Sequence, residues 1–284
     1  MILLDLRLNP APDGLHSRVM FPDNQPHLRV SPSVEDEEVS VIAPIRSALE
    51  LFEVMLLNEF LTEHNASKKT LVIPYLMGAR SDRRMTPPDA FALRVVAKEI
   101  NSWGFERVKL VDVHSDVSTA LISRSSNYGQ DTIAKLITRY HPGFFSPGTV
   151  LVCPDAGAVK RVGAIKTAFP ETFTEVAHCA KTRDPGTGRL KLKVLDPESV
   201  RNKHCVVFDD LCDGGGTFLA IAEQLRPVGP ESLTLVVTHA IFSQGLSVLE
   251  KAYDRIVCTN SFRQHTSGRN LTVIQLFPNG DLSI

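Results

Sequence analysis

Val207-Phe208-Asp209-Asp210-Leu211-Cys212-Asp213-Gly214-Gly215-Gly216-Thr217 reads as a buried strand running into a glycine-rich turn and then a helix. The apolar start suits a strand with both faces covered. Two carboxylates follow at its end, a third comes at Asp213, and three glycines and Thr217 open the next helix. Glycines let backbone N–H groups converge on an anion without side-chain obstruction, and a helix N-terminus adds a favourable dipole. Asp209 and Asp210 stand where they can bind sugar hydroxyls directly or through a metal. A plain tight turn, with Asp213 capping the helix, explains a glycine run alone. It does not explain the whole acid-and-glycine pattern after an apolar strand.

Working outward, β-branched apolar runs alternate with stretches of helical periodicity, the pattern of an α/β protein with parallel sheets. Strands are expected at Val39 to Ile42, Thr70 to Ile73, Val108 to Val111, Thr149 to Val152, Cys205 to Phe208, Leu233 to Val237 and Arg255 to Val257. Helices are expected at Ala48 to His64, Asp89 to Trp103, Asp131 to Tyr140, Thr217 to Leu225 and Leu246 to Ala252. Breakers cluster from His141 to Gly148, so a boundary is expected near residues 127 to 148. It divides the chain into two α/β halves, 1–130 and 131–284. Arg183 to Arg189 contains Asp184-Pro185-Gly186-Thr187-Gly188, which reads as a mobile loop carrying cations.

Bulk composition narrows the function classes. The chain has 284 residues, 43% hydrophobic and 22% charged, enough for a sizeable core. Thirty-one basic and thirty-two acidic side chains leave no net field for nucleic acid or an anionic membrane, so any phosphate binding is local. Five scattered cysteines with no CxxC pair argue against a disulfide framework or a zinc site and fit a cytoplasmic protein. Asp5 and Arg7 interrupt the apolar N-terminus, and no stretch approaches the ~18 apolar residues of a membrane span. A soluble protein without a cleaved signal is expected.

The Asp-Asp-x-x-Asp-Gly-Gly-Gly-Thr segment resembles the phosphoribosyl diphosphate motif of the phosphoribosyltransferase superfamily. Val72-Ile73-Pro74-Tyr75, then Ala79-Arg80-Ser81-Asp82-Arg83, is similar to a segment of the ribose-phosphate diphosphokinases (PRPP synthetases). So are Val111-Asp112-Val113-His114, Val152-Cys153-Pro154-Asp155-Ala156-Gly157 with Lys160-Arg161, Lys181-Thr182-Arg183, and Val237-Thr238-His239-Ala240-Ile241-Phe242-Ser243. The similarity runs collinearly over roughly residues 21 to 275, which no single motif makes specific.

This resemblance implies a fold of two phosphoribosyltransferase-like domains, each a parallel sheet flanked by helices. It implies transfer of diphosphate from Mg-ATP to the anomeric hydroxyl of ribose 5-phosphate, giving PRPP and AMP. Lys181 and Arg183, placed on the mobile loop, would be catalytic, neutralising charge on the diphosphate in flight. Arg80 and Ser81 would hold ATP phosphates, a task suited to the planar guanidinium fork. Phe21, Asp23 and Gln25, in Phe21-Pro22-Asp23-Asn24-Gln25, resemble a loop that reaches the adenine of ATP in a neighbouring subunit, which implies a homo-oligomer with a shared active site. His114 and Asp155 would help bind Mg²⁺. Asp209, Asp210, Asp213, Gly214, Gly215, Gly216 and Thr217 would grip the ribose phosphate.

Three departures stand out. Gly214 occupies the place of a threonine in the family's phosphate loop, which loses a hydroxyl and gains space, and leaves ADP-ribose as an alternative acceptor. Ser115 to Ala120 does not reproduce the family run that follows the histidine, so nucleotide regulation there is in doubt. The residues before Phe21 show no recognisable first strand and helix, and the stretch after Arg84 is shortened, so oligomer contacts are expected to differ. Two readings of another class are a PRPP-consuming phosphoribosyltransferase, which lacks the Arg80, His114 and Lys181 constellation, and a non-catalytic regulatory relative, in which the Lys-x-Arg or Asp-Asp pair has eroded.

Overall fold

The computed structural model describes residues 1–12, 14–30, 33–183 and 190–278. Two compact units emerge: residues 1–128 with residues 277–278, and residues 129–276.

The first unit is built on a five-stranded parallel sheet. Its strands are β1 (Ile2–Asp5), β4 (Glu38–Ile42), β5 (Lys68–Ile73), β6 (Arg107–Val111) and β7 (Ser125–Tyr128), in that spatial order. β1 corrects the expectation of no strand ahead of Phe21. Its four residues are too short to announce themselves, but Leu4 is fully buried and the strand pairs with β4 from Ile2↔Val39 to Asp5↔Ile42. Asp5 does not break it, because Arg7 forks onto that carboxylate at 2.6 Å.

Beside the sheet, β2 (His16–Met20) and β3 (Pro26–Val30) form an antiparallel hairpin. The helices are α1 (Ala48–Glu63), α2 (Ala92–Ser102) and the short α3 (Val117–Leu121). α1 starts where Ser47 caps the Glu50 amide, while Glu50 reaches back to the Arg46 amide at 2.6 Å. Glu53 is buried on α1 and is held by Arg18 of β2 at 2.7 Å, which pins the hairpin to the helix. α2 begins three residues later than Asp89, whose carboxylate instead accepts from the Met85 and Thr86 amides.

The second unit carries a seven-stranded sheet. In space the order is β10 (Leu190–Val194), β9 (Glu175–Arg183), β8 (Val150–Cys153), β11 (His204–Cys212), β12 (Ser232–Ala240), β13 (Arg255–Thr259) and β14 (Leu271–Ile274). All neighbours are parallel except β9 and β10. Its helices are α4 (Gln130–Tyr140), α5 (Val159–Ala168), α6 (Gly216–Leu225) and α7 (Ser247–Ala252). β11 and β12 lie at the centre, and their runs Cys205–Phe208 and Leu233–Ala240 are buried throughout. All five cysteines are free thiols inside this core. Burial pushes Cys153 up to about 11, and Cys179, Cys205, Cys212 and Cys258 up to about 12. Among the described residues no helix is long and apolar enough to cross a membrane.

One arrangement in this unit positions the site. From β8 the chain passes through α5 to β9 on one side, whereas β11 lies on the other side of β8. The strand order therefore reverses between β8 and β11, and in open α/β sheets a crevice opens at the carboxyl ends of two such strands.

Candidate active site

At that reversal, Val207 of β11 lies beside Val152 of β8. Asp209 and Asp210 follow two and three residues after Val207, and Asp155 follows three after Val152, so all three carboxylates come to the same edge. Asp155 caps the turn after β8, its Oδ1 accepting from the amides of Gly157 and Ala158 at 3.0 and 3.2 Å. The helix that leaves this turn, α5, carries Arg161. One guanidinium nitrogen, Nη2, reaches Asp209 Oδ1 at 2.8 Å and Asp210 Oδ1 at 3.0 Å. Asp209 Oδ1 also accepts from the Asp210 amide at 2.9 Å. Burial pushes the Asp209 carboxyl well above its usual range, and the neighbouring Asp210 adds to this. Arg161 works against it.

Below the acid pair the glycine turn is shaped by its backbone. Gly215 is the residue ahead of α6 and has φ +80, the left-handed region that favours glycine. A Cβ there would also meet the Leu249 side chain at 3.2 Å. The cap of α6 is thus Gly215 and not Asp213, whose carboxylate is engaged elsewhere: Ser243 donates its hydroxyl to Asp213 Oδ1 at 2.6 Å. The turn after β12 is laced to the same loop. The amides of Ile241 and Phe242 donate to Cys212 O at 2.9 and 3.1 Å, and the Ser243 amide donates to Asp213 O at 3.1 Å. Gly215→Ala is expected to cost roughly 1–2 kcal/mol in the left-handed backbone alone. It should raise KM for the phosphorylated substrate more than it lowers kcat, which steady-state kinetics would show.

Lys181 and Arg183 are the last residues of β9, paired with Leu192 and Leu190 of β10. This corrects their placement on a loop. Leu190-Lys191-Leu192-Lys193-Val194 alternates with period two, and a strand there draws its partner into a hairpin. The remainder of the expected loop, 184–189, lies outside the described residues. β9 runs parallel to β8 with His178 beside Cys153, so Lys181 sits three residues beyond that point, at the edge that carries Asp155.

In the first unit, Arg80 and Ser81, expected to hold ATP phosphates, and His114, expected to help bind Mg²⁺, follow strand ends at one edge. Arg80 and Ser81 come after β5, and His114 comes after β6, its neighbour in the sheet. The Arg80 loop is fastened to α2: Ser81 donates to Gly78 O at 2.8 Å, and Ser81 O accepts from Leu93 at 3.3 Å. Gly78 has φ +78, and a Cβ would press on the backbone of Leu93 at 3.2 Å. Ahead of His114, Asp112 holds φ +42, with its amide donating to Tyr128 O at 2.8 Å. Phe21, Asp23 and Gln25 lie apart from this edge, on the exposed tip between β2 and β3. There Phe21 donates its amide to Gln25 O at 2.9 Å, and Asp23 Oδ1 accepts from the Gln25 amide at 3.2 Å.

The fold is that of a phosphoribosyltransferase-type α/β protein, and the phosphoribosyl transferase domain matches residues 125–267. The N-terminal domain of ribose phosphate pyrophosphokinase matches residues 12–104. The chain belongs to the ribose-phosphate pyrophosphokinase (PRPP synthetase) family. A ribose-phosphate pyrophosphokinase of Mycoplasma pneumoniae is 29% identical over 239 residues, covering 82% of this chain and 70% of the relative. That of Pyrococcus furiosus is 28% identical over 244 residues, 85% of this chain and 84% of the relative. The crystal structure of phosphoribosylpyrophosphate synthetase from Mycobacterium smegmatis shares the fold, with TM-score 0.78 at 21% identity. It covers 96% of this chain and 94% of that one.

Arg161 is the residue to which the sequence assigned no role. It stands six positions after Asp155, and its reach to the acid pair depends on β8 and β11 being neighbours.

Proposed function

We propose that the chain transfers diphosphate from ATP to the anomeric hydroxyl of ribose 5-phosphate, forming PRPP and AMP. The observation that carries this reading is the loop from Asp209 to Thr217 at the strand-order reversal, in a chain whose N-terminal part matches the pyrophosphokinase domain. The loop offers backbone amides and the start of α6 to the 5-phosphate, and the acid pair lies ready for the ribose hydroxyls. The anomeric oxygen forms a bond to the β-phosphorus of ATP, the bond from that phosphorus to the α,β-bridging oxygen breaks, and the anomeric proton leaves to solvent. AMP departs with the bridging oxygen. Such a reaction needs alignment and charge neutralisation more than a protein nucleophile. Lys181 and Arg183 supply that neutralisation, and Arg80 with Ser81 holds the nucleotide phosphates. Gln25, Asp23 and Phe21 approach the adenine from a neighbouring copy in a homo-oligomer.

Magnesium fits the donors present. No group of three or more His, Cys, Asp or Glu side chains able to hold a metal occurs among the described residues. Mg²⁺ in nucleotide sites takes one or two protein ligands and completes its shell with phosphate and water. Asp155, anchored through one oxygen, would provide the hard ligand. When bound, Mg²⁺ draws charge from the β-phosphate and so favours attack on it.

The relatives cited are named for ribose phosphate, which favours that acceptor over ADP-ribose. The two are to be offered side by side with Mg-ATP, following AMP and the diphosphorylated product by mass. AMP is expected only when ribose 5-phosphate and Mg²⁺ are both present. AMP release that persists without an acceptor would overturn the reading.

A further inference from the structure

Gly214 differs from Gly215, the glycine that follows it. Its φ is not in the left-handed region, and a Cβ added there meets Gln244 Cγ at 3.4 Å and Ser243 Oγ at 3.9 Å, with no backbone in the way. Backbone conformation therefore does not demand glycine at 214. What bounds the space is a side chain from the next loop. That loop is held firmly: Ser243 is tied to Asp213 through both its amide and its hydroxyl, and Phe242 and Gly245 take φ +47 and +79 in turning over the glycine run. Ser243's hydroxyl donates to Asp213 and is thereby committed. None of the bonds that tie the turn to the loop runs through the Gln244 carboxamide, which is exposed and lies one bond beyond the Cγ that touches the Gly214 space.

The geometry points to Gln244 as an acceptor-contact residue, whose carboxamide N–H supplies to the phosphate loop the side-chain donor that residue 214, a glycine, does not have. This rests on the proposed ribose 5-phosphate reading and adds to it a residue outside the loop itself. The chemistry is suitable. An amide NH₂ offers two donors and carries no charge, so it can donate to a phosphate oxygen. A threonine at 214 would add a hydroxyl to the same space, in which Gln244 already stands. The two positions therefore act as alternatives, one donor from either side of the loop.

Such a relation is read by a double-mutant cycle. Four proteins are compared: wild type, Gln244→Ala, Gly214→Thr and the double variant, each by ribose 5-phosphate calorimetry and by steady-state kinetics. A hydrogen bond to a charged group corresponds to a loss of about 10-fold or more when it is removed. Gln244→Ala is expected to weaken ribose 5-phosphate binding and raise its KM by that factor, with KM for ATP unchanged. Adding Gly214→Thr to Gln244→Ala should restore most of the loss. In the wild-type background Gly214→Thr should weaken binding through crowding. Gln244→Glu, equal in size and exposed, should weaken it further than alanine does, by repulsion from the phosphate. Ribose 5-phosphate affinity unchanged in Gln244→Ala, with wild type binding normally, overturns the role of Gln244 and leaves the proposed function standing. Wild type that binds no ribose 5-phosphate overturns both.

Discussion

Lys181→Ala is expected to lower kcat by about 10²–10³-fold, the range found when one preorganised electrostatic group is taken from a reaction that builds negative charge. As the diphosphate leaves ATP, negative charge spreads over the transferred group and the departing AMP. A cation held in place lowers that barrier most when it need not be brought in from solvent. The position of Lys181 supports this role. Its backbone is paired to Leu192 in a ladder, at the sheet edge that carries Asp155. KM for ribose 5-phosphate should change little, because the interaction is strongest in the transition state. Lys181→Arg should recover only part of the rate, since a planar fork does not place its charge as an ammonium does. The check is single-turnover AMP formation at saturating ATP and acceptor. An Ala variant of wild-type rate would remove Lys181 from the chemistry.

Arg161→Met has the second large effect, on stability as well as on turnover. In the folded chain one guanidinium nitrogen serves two carboxylates, and the side chains of Arg161, Asp209 and Asp210 are exposed by only 18%, 15% and 5%. Removing one member of a largely buried ionic cluster leaves uncompensated charge and costs about 3–5 kcal/mol. For a chain of this size that lowers Tm on the order of 10 °C. The pH dependence has a definite sign. Asp209 is raised in the folded state, so its stabilising contribution is present below the unfolded carboxyl pKa and is lost as pH rises through the folded value. Without Arg161 the Asp209 carboxyl rises further, and the variant's deficit relative to wild type should grow as pH rises through the wild-type folded value. Asp209→Asn in the Arg161→Met background should return part of the lost Tm. A deficit that does not change with pH, or no rescue, would show that Arg161 contributes packing and not charge.

These two residues also mark the limit of what the sequence makes legible. β11, β12 and their neighbours are readable because a strand covered on both faces must be apolar throughout, and the phosphate loop is readable because glycines and acids seldom crowd there for other reasons. β1 is not, because four residues with an aspartate at the end carry too little pattern, and only pairing with β4 makes them a strand. Lys181 was read as loop because the turn formers after Arg183 outweighed the alternation of Leu190 to Val194. Arg161 was passed over for a different reason. Its partners lie 48 and 49 positions away, and only the order of strands in the sheet brings them within reach.

The burial of the thiols has a consequence for how long such a site lasts. Cys212 is adjacent to Asp213, inside the motif, and Cys153 donates its Sγ–H to Asp155 O at 3.2 Å, so sulfur stands at the threshold of both acidic segments. Peroxide and electrophiles attack thiolate, and at neutral pH groups pushed up to about 11 and about 12 offer almost none. The chemistry of the site is therefore insulated from oxidant stress by the same apolar strands that hold it in place. The five buried thiols are thereby kept in the protonated form that oxidants attack least.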